Sequence, residues 1–184
     1  MAPTPFTLRP ADPGDIPPLS ELITISVRAL SAGYYSPRQI DAALSKIFGV
    51  DSQLIADGTY FVAEIAGRIV GAGGWSRRQT LFGGDQRKAG ASDDRVDPAT
   101  MPGKIRAFYV HPDFARRGIA RALLVQCESA ARAEGFRRLE LMATLPGAPL
   151  YSAMGYTPIE PATVDMGDGL TLPGIRMEKT LLPD

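Results

Sequence analysis

Cysteine is almost missing from this chain: Cys127 is the only one among 184 residues. A lone thiol excludes an internal disulfide and makes a reducing cytoplasm the expected compartment. Net charge is missing too, with 20 Lys and Arg balanced by 20 Asp and Glu. That balance gives neither nucleic acid nor an anionic membrane a bulk attraction, so neither is an expected partner. No apolar run is long enough to span a bilayer. Met1 to Pro5 has neither the charged n-region nor the apolar h-region of a secretory leader. No grouping of His, Cys, Asp and Glu has metal-ligand spacing, so no metal is expected. Two nucleotide signatures are also absent. Without G-x-x-x-x-G-K-[ST] there is no triphosphatase lysine or magnesium-binding hydroxyl, and no G-x-G-x-x-G opens an early strand–helix unit.

What is present concentrates between Phe108 and Leu124. An apolar strand, Phe108-Tyr109-Val110, runs through His111-Pro112-Asp113 into Ala115-Arg116-Arg117-Gly118-Ile119-Ala120, and an amphipathic helix follows at once. Free N–H groups and the positive end of the helix dipole then point at one spot. Gly118 and Ala120 let an anion approach the backbone without meeting a large side chain. The ligand expected there carries a pyrophosphate.

The segment resembles the acetyl-CoA loop of the GNAT superfamily of N-acetyltransferases, written [Q/R]-x-x-G-x-[G/A], with Ala115 standing at the first position. A second motif follows downstream: Leu150-Tyr151-Ser152-Ala153-Met154-Gly155-Tyr156 is similar to the family's L-Y-x-x-x-G-[F/Y]. The resemblance covers roughly residues 60 to 160. It implies a central mixed, mostly antiparallel β-sheet with helices on both faces, an α/β (α+β) fold. It also implies an acyltransferase moving an acetyl group from acetyl-CoA to an amine, by direct attack in a ternary complex. Phe108, Tyr109, Val110, Arg116, Arg117, Gly118, Ile119, Ala120 and Arg121 are then the acetyl-CoA-binding candidates. The Val110 N–H is expected at the thioester carbonyl, and Tyr151 is expected to give the CoA thiolate its proton. A phenol of ordinary pKa about 10 facing a thiol near 8.5 is a workable donor; the alternative is that Tyr151 only packs its short helix on the sheet. Pro146 and Pro149 stand around Gly147, where relatives often carry an Asn.

The general base is open between Glu64, the sole histidine His111, and a water chain, since no Glu stands on the Arg106-to-Val110 strand. Tyr34, Tyr35 and Trp75 are candidate acceptor walls or ordinary packing. Cys127, in a stripe with Ile119, Leu123, Leu124 and Ala131, reads as a buried hydrophobe. The expected acceptor is a small-molecule primary amine or amino-acid-like compound. A protein or peptide amine, and a non-catalytic acetyl-CoA sensor, are the alternatives, and a homodimer is an open expectation.

Along the chain, Phe6 to Arg9 predicts a strand, Asp15 an N-cap for a helix ending near Ala32-Gly33, and Ser36-Pro37 the start of a second helix. Tyr60 to Ile65 and Arg68 to Trp75 predict a hairpin. Residues 104 to 111 predict a strand, 118 to 134 a long helix, and Arg138 to Ala143 another strand. Two further strands are expected around Gly167-Asp168-Gly169. One domain spanning 1–184 is expected, interrupted by an irregular stretch from 77 to about 103 whose Asp93, Asp94 and Asp97 are either hydrated or attractive to a cationic amine.

Overall fold

A computed structural model describes residues 5–88 and 93–182. Its centre is one seven-stranded sheet in the order β1-β2-β3-β4-β5-β7-β6, made of β1 (Thr7–Pro10), β2 (Tyr60–Ile65), β3 (Arg68–Ser76), β4 (Gly103–Val110), β5 (Arg138–Thr144), β6 (Thr157–Gly167) and β7 (Leu170–Thr180). Only β4 and β5 pair parallel; every other neighbour is antiparallel. The helices are α1 (Ile16–Leu30), α2 (Pro37–Lys46), α3 (Ser52–Ala56), α4 (Asp85–Lys88), α5 (Ile119–Ala133) and α6 (Ala148–Ala153).

Both sheet faces are covered, and the period-2 pattern of β2 shows how. Phe61 and Ala63 join the cluster under α5, whose Ile119, Leu123, Leu124, Cys127 and Ala131 form one apolar stripe. Tyr60 and Val62 join Leu19 and Leu22 of α1 on the other face. On that same side α1 and α2 pack over the long β6–β7 hairpin, where Ile23, Val27, Ile40 and Ala43 meet Val164, Met166 and Leu172. Gly71 is required by close approach, because a Cβ there would sit 2.6 Å from Ile119 Cγ2.

The helix starts expected from the sequence are found, with one exception in how the cap is made. Ser36 accepts from the Gln39 N–H while the Gln39 side chain accepts from the Ser36 N–H, a reciprocal cap with Pro37 in the first turn. Asp15, expected as the cap of α1, makes no cap bond. Asp12 instead caps the preceding 3-10 turn, and the Asp15 carboxylate folds back onto the Asp12 N–H and Arg9. The described parts of the stretch from 77 to 103, residues 77–88 and 93–103, are more ordered than their composition suggests. Val96 N–H donates to the Arg77 carbonyl, Gln79 N–H to that of Asp94, and Arg78 pairs with Asp57 at 2.7 Å.

Two features of β4 shape a cleft on the α1 side of the strand. Residues 107 and 108 both oppose Gly73, a bulge at which Ala107 takes a left-handed φ of 57°. The Tyr60 hydroxyl donates to the Ala107 carbonyl there. Beyond Gly103↔Leu139 and Lys104↔Glu140, β4 and β5 cease to pair. The opening between them is the cleft.

Candidate functional site

At the C-terminal end of β4 the chain turns sharply into α5. His111 Nδ1 accepts from the Asp113 N–H and so caps the Pro112–Phe114 turn. Arg116 and Gly118 then take φ values of 65° and 83°. The first helical bond of α5 runs from the Ala122 N–H to the Gly118 carbonyl at 2.9 Å. N–H groups ahead of it have no carbonyl of the helix to meet. A Cβ built on Gly118 would meet nothing within 4 Å, so the space in front of this helix end is open. The Arg117 guanidinium lies 5.1 Å over the Phe114 ring, which holds it beside the loop. Arg116 and Arg121 are exposed. This is an anion site built on backbone donors, with cations at its rim.

The cleft adjoining this loop has a volume of about 240 Å³. One side is formed by Ala120 of α5, Met142 and Thr144 of β5, and Gly147, Leu150 and Tyr151 of the α6 turn. The other is formed by Ser26, Val27 and Leu30 of α1, Phe48, and the 81–84 segment. Residues 105–110 of β4 make its floor. Arg106 fixes the 81–84 wall by donating to the Gly83 carbonyl at 2.6 Å, and it pairs with the fully buried Asp51 at 2.7 Å.

Tyr151 sits edge-on to Phe108 at 6.2 Å and to Tyr156 at 5.9 Å, and is only 8% exposed. Burial pushes its phenol well above the ordinary range, and the neighbouring Cys127 thiol acts in the same direction. The phenol of Tyr109 is raised for the same first reason. The Val110 N–H points away from β3 and donates to Ser26 Oγ at 3.2 Å. The next amide, His111 N–H, returns to β3 at the Val70 carbonyl.

The structure therefore brings Phe108, Tyr109, Val110, Ala120 and Tyr151 to one cleft, with Arg116, Arg117, Gly118, Ile119 and Arg121 at the loop and helix end beside it. It does not bring the two base candidates there. Glu64 is engaged by Arg9 at 2.6 Å, and His111 Nε2 faces Arg68 at 2.9 Å. Both line a separate polar depression, together with Asp15, Leu22 and Ile25. The candidate aromatic walls are elsewhere as well. Trp75 is buried against Phe136, the Tyr35 hydroxyl donates to the Pro173 carbonyl and accepts from the Leu145 N–H, and Tyr34 is exposed. Asp93 accepts from the Thr80 N–H within its own loop.

Sequence reasoning missed Ser26, Leu30, Phe48, Phe82 and Arg106. Ser26 alone left a signal: a polar residue inside the apolar run Leu22, Ile23, Val27, buried at 4% exposure. Among the described residues no group of three or more His, Cys, Asp or Glu is arranged to hold a metal ion. No described helix is long and apolar enough to cross a membrane.

Comparison with known proteins bears on this geometry. The sequence model of the acetyltransferase (GNAT) family matches residues 25–156. No functionally curated protein matches the chain. Among solved structures, a GCN5-related N-acetyltransferase from Rhodopseudomonas palustris superposes with a TM-score of 0.73 at 24% identity, covering 98% of this chain and 99% of that one. The PaiA N-acetyltransferase from Thermoplasma acidophilum, solved with coenzyme A, gives 0.67 at 14% identity over 96% and 99%. A GNAT-family acetyltransferase from Brucella melitensis, in complex with acetyl-CoA, gives 0.58 at 15% identity over 98% and 91%.

Proposed function

The chain belongs to the GNAT family of acetyltransferases, and from that premise we propose that it transfers the acetyl group of acetyl-CoA to a primary amine of a small molecule. The observation that carries this is continuity: an open helix N-terminus leads directly into a cleft that ends on a buried, protonated phenol. The acyl donor supplies an activated acetyl carbonyl when bound. Backbone N–H groups at the start of α5, aided by Arg116 and Arg117, hold its phosphates. The gap between β4 and β5 takes its arm, where neither strand offers the other a hydrogen bond.

Val110 orients the acetyl carbonyl through its N–H, giving up the Ser26 hydroxyl to do so. Holding an amine against that position supplies much of the rate by proximity. Tyr151 gives its proton to the departing sulfur, the amine nitrogen releases one to solvent as the amide forms, and the phenolate takes a proton back from solvent, so that amine and acetyl-CoA become amide and CoA thiol. Burial keeps the phenol protonated across the physiological range, so the proton is in place when the sulfur departs, although the same burial makes the phenol a weaker acid. The same reading keeps the enzyme in the cytoplasm, with Cys127 as a reduced core thiol.

The test is release of CoA thiol from acetyl-CoA across a panel of small amines, amino acid derivatives, polyamines, aminoglycosides and Lys peptides. Release with a small amine is the expected result. Release with the Lys peptides alone would replace the acceptor by a protein amine. Tight binding of acetyl-CoA with no release from any amine would replace the enzyme by a sensor.

A further inference from the structure

Resting on that transfer reading, we propose that the acceptor is an amine of low basicity on an apolar body, and that it enters the cleft as the free base. The acceptor side is the wall away from α5 and α6. Its side chains are the apolar Val27, Leu30, Phe48, Leu81, Phe82 and Tyr109, with the small hydroxyls of Ser26 and Ser31 among them. Among the described residues lining the cleft there is no Asp, Glu, His or Lys. Arg106 is the one charged side chain, and it is committed to Asp51 and the Gly83 carbonyl.

Two consequences follow for an amine approaching this wall. A cation meets no carboxylate there, and a guanidinium lies close by, so an ammonium loses its water without gaining a partner. Among the described lining residues an ammonium also finds no carboxylate or imidazole to take its proton. The phenols of Tyr109 and Tyr151 are protonated, and Glu64 and His111 sit around the other depression. Deprotonation then happens in solution, before entry. At pH 7.5 an α-amino group of pKa about 8 is roughly one quarter neutral, whereas an alkylamine of pKa about 10.4 is neutral in only about one molecule per thousand. Greater intrinsic nucleophilicity of the alkylamine offsets part of that gap. The apolar wall sets the rest of the choice, since a benzyl group gains by leaving water and a polyamine chain does not.

The test compares phenylalaninamide with 2-phenylethylamine, which share a benzyl body, and adds spermidine and an N-terminally blocked Lys peptide. CoA thiol release is followed from pH 6.5 to 9.5. Phenylalaninamide should exceed 2-phenylethylamine in kcat/KM by tenfold or more at pH 7.5. The ratio should shrink towards pH 9.5, because only the alkylamine is still gaining free base. A ratio that does not change with pH means that the enzyme removes the proton itself, and overturns the proposal. Preference for spermidine or the Lys peptide overturns it too, while leaving acetyl transfer standing. No release from any amine, with acetyl-CoA bound, overturns transfer and selectivity together. Leu30→Asp adds a second reading. Leu30 is the last residue of α1 and 38% exposed, so a carboxylate there is tolerated. It should raise spermidine relative to phenylalaninamide at least tenfold, and an unchanged ratio overturns the placement of the acceptor wall.

Discussion

Tyr151 and Ser26 show what single side chains contribute to this cleft. Tyr151 was legible because its own heptapeptide carries it, with Gly155 and Tyr156 ending the short helix. Its protonation state was not legible, since that comes from Phe108, Tyr156 and the cover of α5. With the phenol raised above its ordinary pKa of about 10 by burial, no alkaline loss of turnover should arise from Tyr151 below about pH 10. Tyr151→Phe keeps the ring contacts and removes only the hydroxyl with its proton. Steady-state kinetics should show kcat reduced by about 10²-fold, while the Kd for acetyl-CoA measured by calorimetry stays within about twofold. Equal loss in both would make Tyr151 a packing residue. Ser26 behaves differently, because its oxygen is the present acceptor for the Val110 N–H. Ser26→Ala leaves that amide without a partner and should cost about 1 kcal/mol of stability. If Val110 turns to the acetyl carbonyl, the loss is recovered on binding. Thermal melts should then show a larger acetyl-CoA-induced rise in Tm for Ser26→Ala than for wild type. Equal rises would remove Val110 from the carbonyl.

Among the elements, the loop into α5 and the β4–β5 gap do most to form the site. The loop was legible because its requirements are local: a left-handed glycine, small neighbours, and a helix at once behind them. Gly118→Glu adds about 1 kcal/mol of backbone strain at its positive φ, and sets a carboxylate before the N–H groups proposed to hold phosphate. Acetyl-CoA affinity should fall by more than 10²-fold while circular dichroism is unchanged and the melt shifts by only a few degrees. Retained micromolar binding would move the phosphate site elsewhere. The gap was not legible, because it depends on partners far apart in sequence. Lys104 and Glu140 face each other in the last shared pair of β4 and β5, with side chains 3% and 8% exposed, and their 2.5 Å ion pair holds the strands together where they part. The helix α3 was missed for a simpler reason: five residues are too few to show a period, and Asp51, which caps it, is also the partner of Arg106.

For the molecule as a whole, the order of strands and helices could be read ahead of the structure because nearly every element carries its own periodicity and boundary residues. The acceptor wall could not. It assembles Leu30, Phe48 and Phe82 from three segments whose meeting depends on the whole fold. Zero net charge hides a second global property, which is that the charges are distributed as partly buried pairs. Arg9 bonds to Asp15 and Arg78 bonds to Asp57, and each carboxyl is held below its ordinary pKa chiefly by that bond. Burial alone would raise Glu140, but its bonds to Lys104 and Arg176 outweigh it and the net direction is again downward. A carboxylate whose folded pKa is depressed stabilises the fold fully above its unfolded value, near 4, and loses that contribution as pH falls through the folded value. All three therefore act in one direction and in one window. Urea midpoints should be level from pH 7 to about 5 and decline steeply below about 4. Asp57→Asn should lower the neutral plateau and flatten the acid decline, since one of the three groups no longer takes up a proton on unfolding. A wild-type midpoint that stayed level to pH 3 would mean that these pairs persist in the unfolded chain, or that they add nothing to stability.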